Sequence, residues 1–284
     1  MYFIGIIVVT ISVIAGFLWA GGKLSVLWHP PEYVIIFGSA FGAFFAGNRK
    51  HPLKEIIHYM QAAIFDKHIG QKEYTELLCA MYSIFKLART KSLVAIEPHI
   101  ENPKNSDIFK KYPSVLRHKN GLTMFCDYMR LITMGVEDPM VVDDLMREEI
   151  DAIKHEHSDY VTTAQVLADS MPALGIVAAV LGIINSMGAI DKPPTVLGAM
   201  IAAALVGTFF GILISYGFFS PLANRMRQTI AIEMKYYDCI KAAILAYMNK
   251  YPPLIVAETA RKSIEIEFRP SYAKMEERIN NLSD

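Results

Sequence analysis

The feature that most constrains this chain is the absence of charge from four long stretches. No Asp, Glu, Lys or Arg occurs from Met1 to Gly22, from Tyr33 to Asn48, from Ser170 to Ile190 or from Pro193 to Ala223. A helix needs about 20 apolar residues to cross the hydrocarbon core of a bilayer. The first, third and fourth stretches supply them. The second is short, roughly 24 Å as a helix, and crosses only with local thinning or with help from its neighbours. A buried soluble helix is its other reading. Residues 23–32 are just long enough for a hairpin turn between the first two stretches. The N-terminus has no basic n-region and no A-x-A cleavage site, so it reads as a retained span rather than a signal peptide.

The basic residues give the orientation. Only Lys23 lies between the first two stretches and only Lys192 between the last two; every other Lys and Arg lies in 49–169 or 224–284. Arg49 and Lys50 follow the second stretch directly, and Arg225 and Arg227 the fourth. The positive-inside rule then places both long segments and both termini in the cytoplasm. Trp19 and Trp28 fit an interfacial aromatic belt on the opposite face. The whole chain has 28 basic and 28 acidic residues, which argues against a nucleic-acid binder with its basic excess. Cys79, Cys126 and Cys239 are too few and too scattered for a disulfide framework or a zinc site.

The expected fold class is all-α: an integral membrane protein with four transmembrane helices and a helical cytoplasmic domain inserted between the second and third. Residues 1–48 hold the first two spans, 49–169 the cytoplasmic domain, 170–223 the last two spans and 224–284 a cytoplasmic extension and tail. Helical periodicity predicts helices over Glu73–Leu87, Leu122–Met134 and Met140–Ile153. Glu97-Pro98, Asn102-Pro103, Gly135 and Pro139 punctuate them. Residues 224–249 continue the fourth span as an amphipathic helix that Pro252-Pro253 stop. The tail from Glu258 to Asp284 reads as charged, and solvated or helical.

Chemistry-bearing patterns are sparse. His155 and His157 flank Glu156, but residues two apart do not share a helix face, so they read as a solvated run. Asp143, Asp144, Glu148 and Glu149 read as a charged helix face. There is no G-x-S-x-G, P-loop or H-E-x-x-H motif, so the chain is not read as an enzyme, and no cofactor is expected. The fourth span carries Ala199, Ala203, Gly207, Gly211 and Ser215, a small residue every four positions that permits close helix approach. That stripe suits packing within the chain or assembly with other subunits. None of the four stretches holds a titratable carboxylate, Lys, Arg or His. If the chain moves ions, the group that binds them comes from a second protein.

With these residues in view, the chain resembles the MotA family of flagellar stator subunits. The matching segments are Pro-Pro-Glu-Tyr-Val-Ile-Ile at 30–36, Ile-Glu-Asn-Pro at 100–103 and Asp-Ser-Met-Pro-Ala-Leu-Gly-Ile-Val-Ala-Ala-Val at 169–180. Val-Gly-Thr-Phe-Phe-Gly-Ile-Leu at 206–213 and Tyr-Gly-Phe-Phe-Ser-Pro-Leu-Ala at 216–223 complete the set. The resemblance implies a homo-oligomeric ring in the bacterial inner membrane around a MotB-like single-span partner that supplies the ion-binding aspartate. The cytoplasmic domain would push on the rotor protein FliG.

By the same resemblance, Arg89 and Glu97 correspond to rotor-contacting charges, with Glu149 a third. Arg89 and Glu97 are eight residues apart, about two helical turns, so one helix would carry both on one side. Pro172 and Pro221 correspond to prolines that couple ion flow to shape change, and Thr208 to a threonine of the ion pathway. Sodium-driven relatives carry a second threonine where this chain has Ala179. The loss of one oxygen ligand favours protons over a hard cation. The related ExbB and TolQ energisers, with three spans, give the alternative function of energising an envelope protein. A passive membrane scaffold is a third reading.

Overall fold

A computed structural model describes residues 1–280, with the backbone alone at Lys50 and His51. The last four residues of the tail lie outside it. The described chain is helical: α1 Tyr2–Trp19, α2 Pro30–Gly47, α3 Lys50–Ile64, α4 Gln71–Thr90, α5 Glu97–Glu101, α6 Pro113–Arg117, α7 Lys119–Thr133, α8 Pro139–Met187, α9 Pro194–Ile214, α10 Ser220–Met248, α11 Pro253–Ser263 and α12 Tyr272–Asn280. Short 3-10 turns occur at Leu24–Leu27, Leu93–Ile96 and Phe109–Lys111, and a π turn at Ser215–Phe219 joins α9 to α10.

Two compact units result. The first comprises residues 1–67 and 156–229, the second 68–155 and 230–284. Three helical stretches are long and apolar enough to cross a membrane: Tyr2–Trp19, Pro139–Met187 and Pro194–Met248. The short α2 is not among them. It begins earlier than the charge-free stretch, because Pro30 and Pro31 occupy its first turn, where a missing N–H loses no bond. Glu32 therefore lies inside the helix, one residue before the charge-free stretch, and is 8% exposed. A carboxylate in a first turn suits the helix dipole.

In the first unit, Ile36 and Ala40 of α2 pack on Leu167, Met171 and Ala178 of α8, with Phe210 and Ile214 of α9 against them. Tyr33 meets Phe210 edge to face at 4.7 Å. Helix α1 buries no residue. It touches the π turn, where the Tyr2 hydroxyl donates to the Phe218 carbonyl at 2.9 Å. His157 departs from the solvated run expected for it. It is buried beside Tyr59, whose hydroxyl is 3.4 Å from each ring nitrogen, and its ring lies 5.6 Å from that of Tyr160. Its i+3 spacing to Tyr160 puts both on one face of α8, which the local polarity of the segment concealed.

In the second unit, α4 is the central helix. Tyr74, Leu77, Leu78, Met81, Ile84 and Phe85 are all buried on it, and each such side chain contributes about 1.5–3 kcal/mol by leaving water. Phe85 stacks on Tyr247 at 4.8 Å and meets Phe125 edge to face at 5.7 Å. Helix α7 approaches α10 closely at Gly121, where a Cβ would stand 2.6 Å from Cε1 of Tyr236. Buried Glu76 accepts hydrogen bonds from the backbone N–H and hydroxyl of Ser114. The tail is not simply solvated: α11 and α12 pack against α4, burying Val256, Ala257, Ala260, Met275 and Ile279.

Candidate functional site

Helices α8 and α9 approach closely in the first unit, and glycine makes it possible. A Cβ on Gly175 would stand 2.8 Å from the Gly207 carbonyl oxygen, and one on Gly182 would stand 2.6 Å from Cβ of Ala204. The centre of the small-residue stripe, Gly207 and Gly211, is therefore filled by this chain's own α8. Ala203 and Ser215 are buried as well, whereas Ala199 is exposed. The exposed apolar side chains of α8, among them Ile176, Val180, Ile183, Ile184 and Met187, lie elsewhere on that helix.

The Thr208 and Ala179 positions both lie along this contact, Thr208 beside Gly175 and Ala179 beside Gly207. The Thr208 Cα is 3.4 Å from where a Cβ on Gly175 would be, and the Ala179 nitrogen is 3.5 Å from where a Cβ on Gly207 would be. Ala179 is buried and Thr208 half-buried. A helical threonine commonly donates to the carbonyl one turn back, as Thr10 does to Ile6 at 2.8 Å. Among the described residues the Thr208 hydroxyl has no such partner. Glu32 is a buried carboxylate that the sequence reading did not single out. Its Oε2 is fully buried without a hydrogen bond, and His29 Nδ1 lies 3.7 Å from it. The signal was the Pro-Pro-Glu helix start.

The two prolines occupy different surroundings. Pro172 does not begin a helix; it lies inside the continuous 49-residue α8, where it removes one intrahelical hydrogen bond and crowds the carbonyl four residues back. The helix runs through it from a charged segment on the N-terminal side into an apolar one on the other. Pro221 follows the π turn, in which the Ser220 N–H reaches the Ser215 carbonyl five residues back. The wider turn makes room where the proline ring would otherwise meet the Gly217 carbonyl. Ser215 is buried there with an unpartnered hydroxyl.

Arg89, Glu97 and Glu149 all lie in the second unit and all are exposed. Arg89 and Glu97 do not share one helix. Helix α4 ends at Thr90, and Glu97 opens α5 after an intervening 3-10 turn. Pro98 fixes that second start, since proline suits a first helical turn. The Arg89 guanidinium reaches the Lys250 carbonyl at 3.4 Å. Glu149 accepts a hydrogen bond from Tyr128, and burial with that carboxylate raises the phenol's pKa. Asp143, from the expected charged face, pairs with Lys241 at 3.0 Å and with Arg147 at 2.6 Å. These two cations hold its carboxyl below the usual range. Among the described residues no three His, Cys, Asp or Glu side chains gather into a metal-binding group.

Comparisons with known proteins agree along the length of the chain. Residues 3–92 match the family model described as motility protein A N-terminal. Residues 119–239 match the MotA/TolQ/ExbB proton channel family. The chain is 37% identical over 281 residues to motility protein A of Escherichia coli strain K12, covering 99% of this chain and 95% of that protein. It is 36% identical to chemotaxis protein LafT of Vibrio parahaemolyticus, covering 96% of each. The fold is similar to that of the C. jejuni MotAB structure, with a TM-score of 0.75 at 17% identity over 95% of this chain and 98% of that one. It is similar too to the flagellar MotAB stator complex from Bacillus subtilis, with a TM-score of 0.68 at 24% identity over 94% of this chain and 97% of that one.

Proposed function

We infer the function from one premise: the chain belongs to the motility protein A family. It is a flagellar stator subunit that forms a proton channel with a MotB-like partner and couples ion flow to torque on the rotor. The observation that carries this is the 37% identity over 281 residues, which runs through both units. The match of residues 3–92 to an N-terminal model specific to motility protein A favours the stator over an ExbB- or TolQ-like energiser.

The subunit is an oligomeric, multi-pass protein of the bacterial inner membrane. Helices α1 and α2, the α8 segment after Ser170, and α9 form four spans, with α2 held across a thinned bilayer by its neighbours. Both long charged segments and both termini are cytoplasmic, as the distribution of Lys and Arg supports. The apolar side chains that α8 leaves exposed, such as Ile183 and Ile184, suit lipid and neighbouring copies in a ring.

The spans carry one carboxylate, Glu32, in a first turn. The carboxylate that takes up the ion in mid-membrane comes from the partner. Thr208, whose hydroxyl no carbonyl engages among the described residues, faces that pathway, and Ala179 adds no second oxygen, which favours protons. Pro172 and Pro221 mark weak points in two otherwise continuous helices, where a change of partner protonation bends the chain. Arg89 and Glu97, with Glu149 as a lesser contact, meet the rotor protein FliG.

The test is reconstitution. Proteoliposomes holding this chain with its MotB-like partner should carry a saturable, pH-driven proton flux, and vesicles of the lone chain should carry none. Equal flux without the partner overturns the reading, as does normal swimming in a strain lacking this chain.

A further inference from the structure

In the second unit a cavity of about 560 Å³ opens between the end of α4, the α7–α8 turn and the α10–α11 turn, lined by Arg89, Leu93, Val136, Glu137, Tyr247 and Lys250. Its lining combines apolar side chains, Leu93 and Val136 among them, with the charged Arg89, Glu137 and Lys250. Val94 beside Leu93 is 68% exposed, and Met134 beside the α7–α8 turn is 74% exposed. Exposed apolar side chains next in sequence to the lining of a concave site suit a place where another protein fits.

Two turns of one kind frame the opening. Gly135 donates to the Ile132 carbonyl and Val136 to that of Leu131, with Gly135 at φ +98°. Lys250 donates to the Tyr247 carbonyl and Tyr251 to that of Ala246, with Lys250 at φ +62°. Such helix endings favour glycine at the left-handed position, because a Cβ there crowds the following carbonyl. The first turn has its glycine. The second holds a lysine in spite of the strain, and Arg89 anchors that turn through its bond to the Lys250 carbonyl.

The charge at the mouth is unbalanced. Arg89 and Lys250 stand against Glu137 alone. Among the described residues neither cation pairs with a carboxylate, whereas Arg130, Arg147 and Arg261 each do. Cations left unpaired beside apolar lining residues suit a partner that presents a carboxylate next to a large apolar side chain.

We propose that this cavity is a socket for the rotor protein: it takes a large apolar side chain from an acidic amphipathic rotor helix, whose neighbouring carboxylate lies on Arg89 and Lys250. The inference rests on the reading of Arg89 as a rotor contact. It adds a buried apolar anchor to a contact otherwise made of surface charges, and anchors of that kind carry most of the binding energy of an interface.

The test uses the complex of this chain with its MotB-like partner. A photo-crosslinking amino acid in place of Val136 should give an adduct with FliG, on a helix that carries a carboxylate beside an apolar residue. An adduct only with a second copy of this chain, or none, overturns the proposal. Val136→Trp, which fills the cavity, should weaken FliG binding by about fivefold or more, the effect of losing an interface anchor, with assembly intact. Lys250→Gly relieves the backbone and removes the charge, so it should raise the unfolding temperature and still weaken FliG binding. A higher unfolding temperature with unchanged binding makes Lys250 a turn residue only and overturns its role. Arg89→Glu separates the two readings. If it leaves FliG binding intact, the rotor contact itself is wrong. If it abolishes binding while Val136→Trp and Lys250→Gly bind normally, the socket alone is wrong.

Discussion

Gly211 lies so near Met171 that a Cβ on Gly211 would stand 2.6 Å from the Met171 carbonyl oxygen. Backbone meets backbone there, on the residue directly before Pro172. The contact ties α9 to α8 at the point where α8 is weakened by its missing hydrogen bond, so a change at either helix is felt by both.

Gly211→Ala should therefore destabilise the first unit by about 1–3 kcal/mol, the usual effect of overpacking, and lower the yield of assembled complex. Gly207→Leu should do so more severely. Gly198→Ala is the control, because no atom beyond its own turn of helix lies within 4 Å of its Cβ position, and it should be neutral or slightly stabilising. Thermal unfolding of the detergent-solubilised complex checks all three.

Glu76 tests the second unit. Its carboxylate satisfies the Ser114 N–H at the start of α6, 2.9 Å away, in a buried site. Glu76→Ala leaves that donor unpaired and should cost about 1–3 kcal/mol. Glu76→Gln keeps an acceptor and should recover part of the loss. Equal unfolding midpoints for Glu76→Ala and the parent would show that water replaces the carboxylate at no cost.

His118 predicts a pH dependence. Burial lowers its pKa, against the opposing pull of Glu233 and Glu73. A base whose folded pKa is depressed is protonated first in the unfolded chain. Stability is then fully present above the unfolded value of about 6.5 and is lost as pH falls from there toward the folded value. Unfolding midpoints followed from pH 8 to pH 5 should fall on the acid side, and His118→Gln should flatten the curve. An unchanged slope in the variant would assign the dependence to another group.

Arg89→Glu and Glu97→Lys should each impair torque while proton flux through the complex persists. Both residues are exposed and outside the spans, and surface ion pairs contribute little to stability, so folding should survive. Complementary charge sets registry and on-rate, so reversals on the rotor protein should restore part of the swimming. Loss of flux together with torque would place these residues in the channel machinery instead.

Ion choice is checked by swimming in sodium-free medium, which should persist, and by a protonophore, which should stop it. Thr208→Ala should slow flux, since it removes a side-chain hydroxyl at the α8–α9 contact. Speed that rises and saturates with sodium at fixed pH would reverse the assignment.

The membrane-crossing helices α1, α8 and α9 were legible in the sequence because transfer of apolar side chains out of water is nearly additive along the chain, so a charge-free run of sufficient length declares itself without knowledge of its neighbours. Helices α4 and α7 of the second unit were legible for the related reason that period and punctuation are local. Position in space is not local. The i+3 pairing of His157 with Tyr160 has value only because α3 brings Tyr59 against them, and no count of nearby polar residues reveals a neighbour 98 positions away. The break between Arg89 and Glu97, the passage of α8 through Pro172 and the capture of Glu32 at the start of α2 each pit a weak local preference against packing. The sequence alone determined which residues must leave water; the tertiary structure decided which of them meet, because close packing rewards complementary shape between distant segments and a linear pattern carries no record of it.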